Sequence, residues 1–148
     1  MFAFGVVLGL AGCSAGDVDF VDLATLERPS RPNTYLVCPA ERTTAAVDRA
    51  PPVYALAPDE LERIWLAALA EEPRLSRRDA EPARRRYLFV QRTPILRFPD
   101  VVQLEVLEVP PDGSTICLYS RSLYGYGDLG ANRRRIEDWL ARIGPGAS

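Results

Sequence analysis

The sequence predicts a two-layer α+β fold in which an antiparallel sheet carries two helices on one face. Two segments place apolar residues at i, i+3, i+4 and i+7, which is the spacing of a helix with one buried stripe. Three further runs are rich in β-branched and aromatic residues, and the last two are joined by P-P-D-G, a hairpin connection. Hairpin strands are antiparallel, and helices beside such a sheet bury their stripes against one of its faces.

The chain has 148 residues, which corresponds to one domain with a sizeable core. A hydrophobic fraction of 47% and a charged fraction of 26% exclude a disordered chain or one that crosses a membrane many times. The formal net charge of −2 argues against nucleic acid as a partner, because phosphate binding needs a basic surface. All basic residues are arginine and histidine is absent, so imidazole chemistry is excluded and we predict no metal site and no cofactor.

The first half of the chain predicts one short strand and a helix. The prolines at positions 29 and 32 predict an ordered loop that leads into a short apolar stretch at residues 35–38, and residues 53–56 are the strand candidate. Pro58 at a first helical turn, followed by acidic residues near the positive end of the helix dipole, predicts a helix that ends before Pro73. Its apolar stripe consists of Leu61, Ile64, Trp65, Ala68 and Leu69.

The second half predicts three strands, at Arg86–Arg92, residues 101–109 and residues 115–123, separated by turns that contain proline or glycine. The arginine clusters at residues 77–78 and 84–86 are interpreted as solvated loops and strand ends, with contact to anionic lipid headgroups as the alternative.

A final helix follows the glycine-rich turn Y-G-Y-G-D-L-G. Asp128 is predicted as its N-cap, and Gly144 with Pro145 ends it. The apolar stripe of this helix consists of Ile136, Trp139, Leu140 and Ile143.

The N-terminus carries a pattern that predicts lipid modification. Residues 1–12 are almost wholly apolar, and polar residues begin directly after Cys13. This run is too short to span a bilayer, which takes about 20 apolar residues. The sequence L-A-G-C resembles the bacterial lipoprotein signal, in which the cysteine receives acyl chains such as palmitate and becomes the first residue of the mature chain. Ser14 after the cysteine resembles the sorting rule for the outer membrane, so we expect an envelope protein that faces the periplasm. The alternative is a buried strand or helix with Cys13 as a core thiol.

Composition divides the chain into a signal peptide at residues 1–12, a tether at residues 13–30, a single globular domain at residues 31–144 and a tail at residues 145–148. The tether is acidic, which suits a segment held off an anionic membrane surface. Its apolar side chains, such as Phe20 and Leu23, leave docking on the domain as the alternative. Nothing before Arg28 is basic, so either the α-amino group alone supplies the charge of the signal or the start codon lies upstream of Met1.

Cys38 and Cys117 remain once Cys13 is set aside. Two thiols in an oxidising periplasm form a disulfide if their Cα atoms come within about 7 Å. Cys117 lies within a predicted strand, so a role as a small buried hydrophobic residue is the alternative, and no spacing motif decides between the two.

The densest group of polar side chains lies in residues 119–136. Alternation along the predicted strand places Arg121 on the opposite face from the serines on either side of it. Asp128 and Asn132 are four residues apart, so they lie on adjacent turns of one helix face. The candidate site residues are Asp100, Ser120, Arg121, Ser122, Asp128, Asn132 and Arg135.

Two interpretations of this cluster are open. In a structural lock, Asp128 caps the helix, Arg121 pairs with Asp128 or Asp100, and Asn132 bonds loop carbonyls. In a ligand site, the same groups converge on a bound molecule. We assign no catalytic residue, because the serines have no histidine to activate them, and nothing in the spacing shows that Asp100 and Asp128 meet as a carboxylate pair for acid–base chemistry.

The pattern S-R-S followed by G-x-x-D-x-G-x-N-x-x-R-I, with F-P-D before it, resembles the bacterial domain-of-unknown-function family 1499. The resemblance extends from about residue 31 to residue 143 and includes the opening R-P-N-x-Y-L-V-C-P. Many members carry a lipoprotein signal, and the family name implies no established activity. The matched positions are Phe98, Asp100, Ser120, Arg121, Ser122, Gly125, Asp128, Gly130, Asn132, Arg135 and Ile136. The chain departs from the family at Val101, Tyr119, Leu123 and Gly127, which replace an acidic residue, two arginines and a serine.

We therefore expect a lipid-anchored cell-envelope protein whose domain is a non-catalytic binding module for a protein partner or a small apolar or lipidic ligand. Acyl chains on Cys13 would attach it to the membrane. The alternative is an envelope enzyme of unknown reaction at Arg121, Asp128 and Asn132, which a deep pocket with converging polar groups would favour. An exposed apolar patch over a filled interior would favour an interaction protein without a pocket.

Overall fold

The computed structural model describes Gly16 and residues 18–144, and these residues form the predicted α+β fold. The strands are β1 Thr34–Val37, β2 Leu75–Glu81, β3 Arg86–Arg92, β4 Pro99–Val109 and β5 Gly113–Ser122, and the helices are α1 Pro58–Ala70 and α2 Ala131–Arg142. The strands form one open antiparallel sheet in the order β1-β5-β4-β3-β2. The predicted signal peptide, Cys13 and the predicted tail lie outside the described residues.

Both helices pack on the same face of the sheet, which we call the helix face. Their buried residues are Leu61, Trp65 and Leu69 in α1, and Asn132, Ile136, Trp139 and Leu140 in α2. The apolar members of this set share one core with alternate residues of β1, β3, β4 and β5. Burial of each large apolar side chain contributes about 1.5–3 kcal/mol, so packing on the sheet stabilises both helices more than helix propensity does.

The opposite face, which we call the back face, is covered by two irregular segments, residues 18–27 and 39–47. Leu23 is buried there. The backbone N–H of Val21 donates to Oε1 of Gln103 at 3.0 Å, and Nε2 of Gln103 donates back to the carbonyl of Val21 at 2.9 Å. Residues 18–27 lie within the segment that the sequence predicts to be a tether. They dock on the domain instead, which is the alternative that their apolar side chains left open. The physical reason is that the back face of the sheet is itself apolar and must be covered.

A disulfide joins Cys38, directly after β1, to Cys117 in β5 on the back face, with the two Cα atoms 4.2 Å apart. The sequence left this pairing open. The register of the sheet decides it, because Val37 lies opposite Leu118 in an antiparallel pair, so Cys38, which follows Val37, faces Cys117, which precedes Leu118.

Two elements differ from the prediction. Residues 53–56 contribute only an isolated bridge, from Tyr54 to Ser114, rather than a strand. The sequence predicts solvated loops around Arg77, whereas this residue lies inside β2. The sequence of β2 shows no apolar alternation because β2 is an edge strand with mostly exposed side chains, and its register shifts between Arg77 and Asp79. Charges and irregularities of this kind protect a sheet edge from pairing with other chains.

Candidate functional site

Two loops at one end of the sheet lie side by side and enclose a cleft. They are the β3–β4 loop, residues 93–98, and the β5–α2 loop, residues 123–130. In β4, Asp100 lies opposite Gln91 of β3 and Ser122 of β5. The loops that leave these strands at this end must therefore adjoin.

The floor of the cleft contains Asp100 and Ser122, which belong to a network of buried polar side chains. Nη2 of Arg135 donates to Oδ2 of Asp100 at 2.5 Å, and Asp100 is 2% exposed. The same guanidinium donates through Nη1 to Oγ of Ser120 at 2.9 Å and to Oδ1 of Asn132 at 2.7 Å, and through Nε to Oε1 of Gln91. A buried ion pair is stable only when its remaining polar atoms are satisfied, and these additional bonds do so for Arg135.

Asn132 joins α2 to two other parts of the chain. Its Nδ2 donates toward the carbonyl of Asn33 at 2.9 Å, Oγ of Ser122 at 3.0 Å and Oδ2 of Asp128 at 2.6 Å. Its Oδ1 accepts from Oγ of Ser120 at 2.5 Å. The bond to a backbone carbonyl is the one that the lock hypothesis predicts for this residue.

Asp128 caps α2, although it is not the N-cap residue that the sequence predicts. Its Oδ1 accepts from the backbone N–H of Gly130 at 2.8 Å, and its Oδ2 accepts from that of Asn132 at 2.9 Å. The helix begins at Ala131, with Gly130 in the N-cap position. The difference arises because Leu129 and Gly130 adopt left-handed backbone conformations, with φ of 53° and 77°, and so add a turn before the helix.

Arg121 lies apart from the other candidate residues. As strand alternation predicts, it lies on the back face, where Nη2 donates to the carbonyl of Asp19 at 3.5 Å. The predicted pairing of Arg121 with Asp128 or Asp100 is therefore wrong. Arg135 occupies that place, because its position on α2 directs it to the helix face of the sheet.

The structure thus brings together six of the seven candidate residues on the helix face, namely Asp100, Ser120, Ser122, Asp128, Asn132 and Arg135. Their hydrogen bonds to one another and to the backbone are those expected of a lock. Asp100, Ser122 and Asp128 also line the cleft, so the same network supplies the polar part of its surface.

The walls of the cleft are apolar, and its volume is about 560 Å³. The large apolar side chains exposed on the two loops are Ile95, Leu96, Phe98, Tyr124, Tyr126 and Leu129. Leu129 is 94% exposed, and Ile95 is 89% exposed. Among the described residues, Val53 is the remaining large apolar side chain of this kind, and it lies near Gly113 at the other end of the sheet. Clustering of exposed apolar side chains marks a binding surface, whereas single exposed residues do not.

Leu129 combines a strained backbone conformation with an exposed side chain. A left-handed φ costs a residue with a Cβ atom about 1–2 kcal/mol, and Leu129 bears this cost while its side chain is almost wholly in water. Arg97 in the β3–β4 loop has φ of 58°, and Arg74 and Arg85, outside the two loops, also have a left-handed φ.

Ile95, Leu96 and Leu129 are not among the site residues that the sequence pattern predicts. The indication was present in T-P-I-L-R-F-P and in the leucine of the glycine-rich turn. Apolar residues between prolines or glycines have no helix or strand that buries them, so they remain exposed unless another segment covers them.

A larger depression, of about 690 Å³, lies beside β1 and the start of α2. Its surface contains the ion pair of Arg28 with Asp48, at 2.8 Å, and lacks the cluster of exposed apolar side chains that marks the cleft. We therefore take the cleft as the candidate site.

Within the part of the chain that the structure describes, no group of three or more cysteine and acidic residues is placed to hold a metal ion. Neither α1 nor α2 is long and apolar enough to cross a bilayer.

Comparisons with known proteins give a family and one distant structural similarity. A family model described as "Protein of unknown function (DUF1499)" matches residues 25–143. None of the curated proteins matches the chain. Similar solved structures include the crystal structure of the di-domain ARO/CYC BexL from the BE-7585A biosynthetic pathway, with 18% sequence identity and a TM-score of 0.44. The similarity covers 66% of this chain and 43% of that chain, so this chain spans less than half of its length. A similarity of this size does not establish a shared fold.

Proposed function

The chain belongs to the DUF1499 family, whose function is unknown, and we propose that it is a lipid-anchored, non-catalytic binding module of the bacterial cell envelope. Its ligand is a small apolar or lipidic molecule held between the β3–β4 loop and the β5–α2 loop. The observation that carries this proposal is the cluster of exposed apolar side chains around a cleft with a buried polar floor. Apolar walls with a few fixed polar groups are the usual form of a small-molecule site.

The lining of the cleft indicates the chemistry of the ligand. Leu96 on one wall and Leu129 on the other would cover an apolar chain or ring, with a gain of about 25 cal/mol per Å² removed from water. Ser122 lines the cleft, and its hydroxyl can donate a hydrogen bond to an oxygen of the ligand. The ligand is therefore amphipathic, with an apolar body and an oxygen-bearing end.

The anchor rests on the sequence pattern at Cys13, which lies outside the described residues. A single acyl chain holds a protein at a membrane only weakly, whereas two or more hold it firmly. A binding module held in this way would take up and release its ligand beside the membrane.

The alternative function, an enzyme that uses Arg121, Asp128 and Asn132, has less support. Arg121 lies on the back face, whereas the other two lie on the helix face, so the three groups do not converge. Ser120 donates to Asn132 and accepts from Arg135, and neither partner is a base that would activate its hydroxyl.

The test is the binding of N-phenyl-1-naphthylamine, an apolar probe whose fluorescence rises in apolar surroundings. The protein is the anchor-free chain, residues 13–148 with Cys13→Ser, which includes every described residue. We expect saturable binding that Leu96→Ser weakens about ten-fold, because the loss of one leucine contact costs about 1.5 kcal/mol. A fatty acid should displace the probe.

Val53→Ser is the matched control, because it removes an exposed apolar side chain at the other end of the sheet. This variant should bind the probe as the parent chain does. Binding that does not saturate, or an equal loss in Val53→Ser and Leu96→Ser, would contradict a ligand site in the cleft.

A further inference from the structure

The tips of the two loops form one apolar surface. Ile95 and Leu96 are on the β3–β4 loop, and Leu129 is on the β5–α2 loop, where each is exposed. Tyr124 and Tyr126 are exposed beside them. Aliphatic side chains next to tyrosines are the composition that favours the boundary between lipid tails and headgroups, where one end of a tyrosine is apolar and the other is wet.

Two exposed arginines carry positive charge beside the apolar tips, and Asp19 is exposed on the back face at the same end of the sheet. Arg97 and Arg134 are exposed, and Nη1 of Arg134 donates to the carbonyl of Leu129 at 2.6 Å, which holds the guanidinium beside the apolar tip. The acidic groups that line the cleft are engaged inside the fold, since Asp100 pairs with Arg135 and Asp128 caps α2. The surface therefore complements an anionic layer.

The described chain starts close to these loops. Val18 and Phe20 pack on the back face against a cluster that includes Val101, near the start of β4, and Leu123, directly after β5. Both positions lie at the end of the sheet from which the two loops project. Cys13 precedes Val18 by five residues, which span at most about 18 Å when extended. Acyl chains on Cys13 would therefore be held on the same side of the domain as the apolar tips.

We propose that the cleft end of the domain docks on an anionic lipid bilayer, with Ile95, Leu96 and Leu129 inserted at the interface and Arg97 and Arg134 at the headgroups. This goes beyond the proposed function and rests on it only for the anchor at Cys13. The mouth of the cleft then opens onto the bilayer, so a lipidic ligand enters and leaves without crossing water. Docking also accounts for the exposure of Leu129 on a strained backbone, because the bilayer buries the part of its side chain that faces away from the cleft.

The first test uses co-sedimentation to measure binding of the anchor-free chain to vesicles of phosphatidylcholine that contain about 30 mol% phosphatidylglycerol. We expect binding that falls about ten-fold in Leu129→Asp, because the variant replaces an inserted side chain with a charge. Aspartate tolerates a left-handed backbone, so this variant should retain its fold. Val53→Asp is the matched control and should bind as the parent chain does.

The second test locates the docked surface. Leu96→Trp and Leu129→Trp place a fluorophore on each tip, and Val53→Trp places one at the other end of the sheet. Trp65 and Trp139 are buried and give a constant background. Brominated lipids should quench the two tip variants and leave Val53→Trp unchanged. Arg97→Gln and Arg134→Gln should weaken binding to anionic vesicles, whereas Arg63→Gln on the exposed side of α1 should not.

Docking would be overturned if the chain did not bind anionic vesicles or if the lipids quenched all three tryptophan variants equally. It would also be overturned if the chain formed a dimer in solution that Leu129→Asp dissociates, because a second copy of the chain would then cover the apolar surface. These outcomes are separate from failure of the proposed function. Vesicle binding is measured without the anchor, probe binding is measured without vesicles, and lipidation is measured by the mass of the N-terminal peptide. If the chain bound the probe and did not bind vesicles, the proposed ligand site would stand and the proposed docking surface would be contradicted.

Discussion

Asp128 and Asn132 show how two side chains one turn apart order the start of α2. Asn132 is fully buried, and a buried amide without partners costs about 1–3 kcal/mol. Asp128 accepts from both the backbone N–H and the side-chain amide of Asn132. The carboxylate therefore satisfies donors at the helix start that would otherwise be buried and unpaired.

Asp128→Ala removes both acceptor oxygens, and we expect it to lower the free energy of unfolding by about 1–2 kcal/mol. Urea denaturation of the anchor-free chain measures this change. Asp128→Asn keeps one acceptor oxygen and should lose less. If Asp128→Ala retained full stability and lost probe binding, the residue would be a ligand contact rather than a cap.

At the scale of elements, each helix is joined to the sheet by one tyrosine of the helix face. Oη of Tyr35 in β1 donates to Glu137 of α2 at 2.5 Å, and Oη of Tyr87 in β3 donates to Glu62 of α1. Burial, together with the hydrogen bond to the glutamate, raises the pKa of each tyrosine from 10.0 to about 12. These contacts fix the positions of α1 and α2 in addition to the apolar core.

The raised pKa values predict a loss of stability in alkali. The neutral phenol is favoured in the folded state, so this contribution is complete below pH 10, the pKa of an unfolded tyrosine, and is lost as pH rises toward about 12. Urea midpoints between pH 8 and about pH 11.5 measure the decline. The double variant Tyr35→Phe with Tyr87→Phe should show a shallower decline, because neither phenol remains to ionise.

At neutral pH the same double variant should lose about 0.5–1.5 kcal/mol for each hydrogen bond removed. Tyr126→Phe is the matched control, since this tyrosine is exposed, and it should leave both the neutral stability and the alkaline decline unchanged. A double variant with the decline of the parent chain would show that other groups control alkaline unfolding.

For the whole molecule, the two faces of the sheet are covered in different ways. The helix face is covered by α1 and α2, whose stripes form one continuous core with the strands. The back face is covered by irregular segments: the disulfide between Cys38 and Cys117 fixes the start of residues 39–47 to β5, whereas packing and the hydrogen bonds between Val21 and Gln103 hold residues 18–27.

Reduction of the disulfide should lower the free energy of unfolding by about 2–5 kcal/mol, because the bond closes a long loop between residues 79 positions apart. Urea denaturation with and without a reductant measures the loss, and the intact mass should rise by two hydrogens on reduction. The double variant Cys38→Ala with Cys117→Ala should be as unstable as the reduced chain and should not respond to the reductant. An unchanged mass would show that the thiols are unpaired.

Local patterns allowed much of the fold to be predicted. The stripe that begins at Leu61 and the one that begins at Ile136 each lie on a helix, and β3 has the predicted bounds. Each of these predictions depends on residues within about two turns or one strand, which the sequence displays directly. β2 was not predicted because it lacks such a local pattern: it is an edge strand, and an edge strand needs no apolar alternation.

By itself the sequence determined the α+β class, the face on which Arg121 lies, and the polar residues around Asp128 and Asn132, since all of these follow from periodicity along the chain. Only the tertiary structure decided that Arg135 rather than Arg121 pairs with Asp100, that Cys38 meets Cys117, and that residues 18–27 cover the back face. It also brought Ile95 and Leu129 together at one end of the sheet. These pairings depend on the register of strands that are far apart in the chain, and the order of residues within each segment does not contain that register.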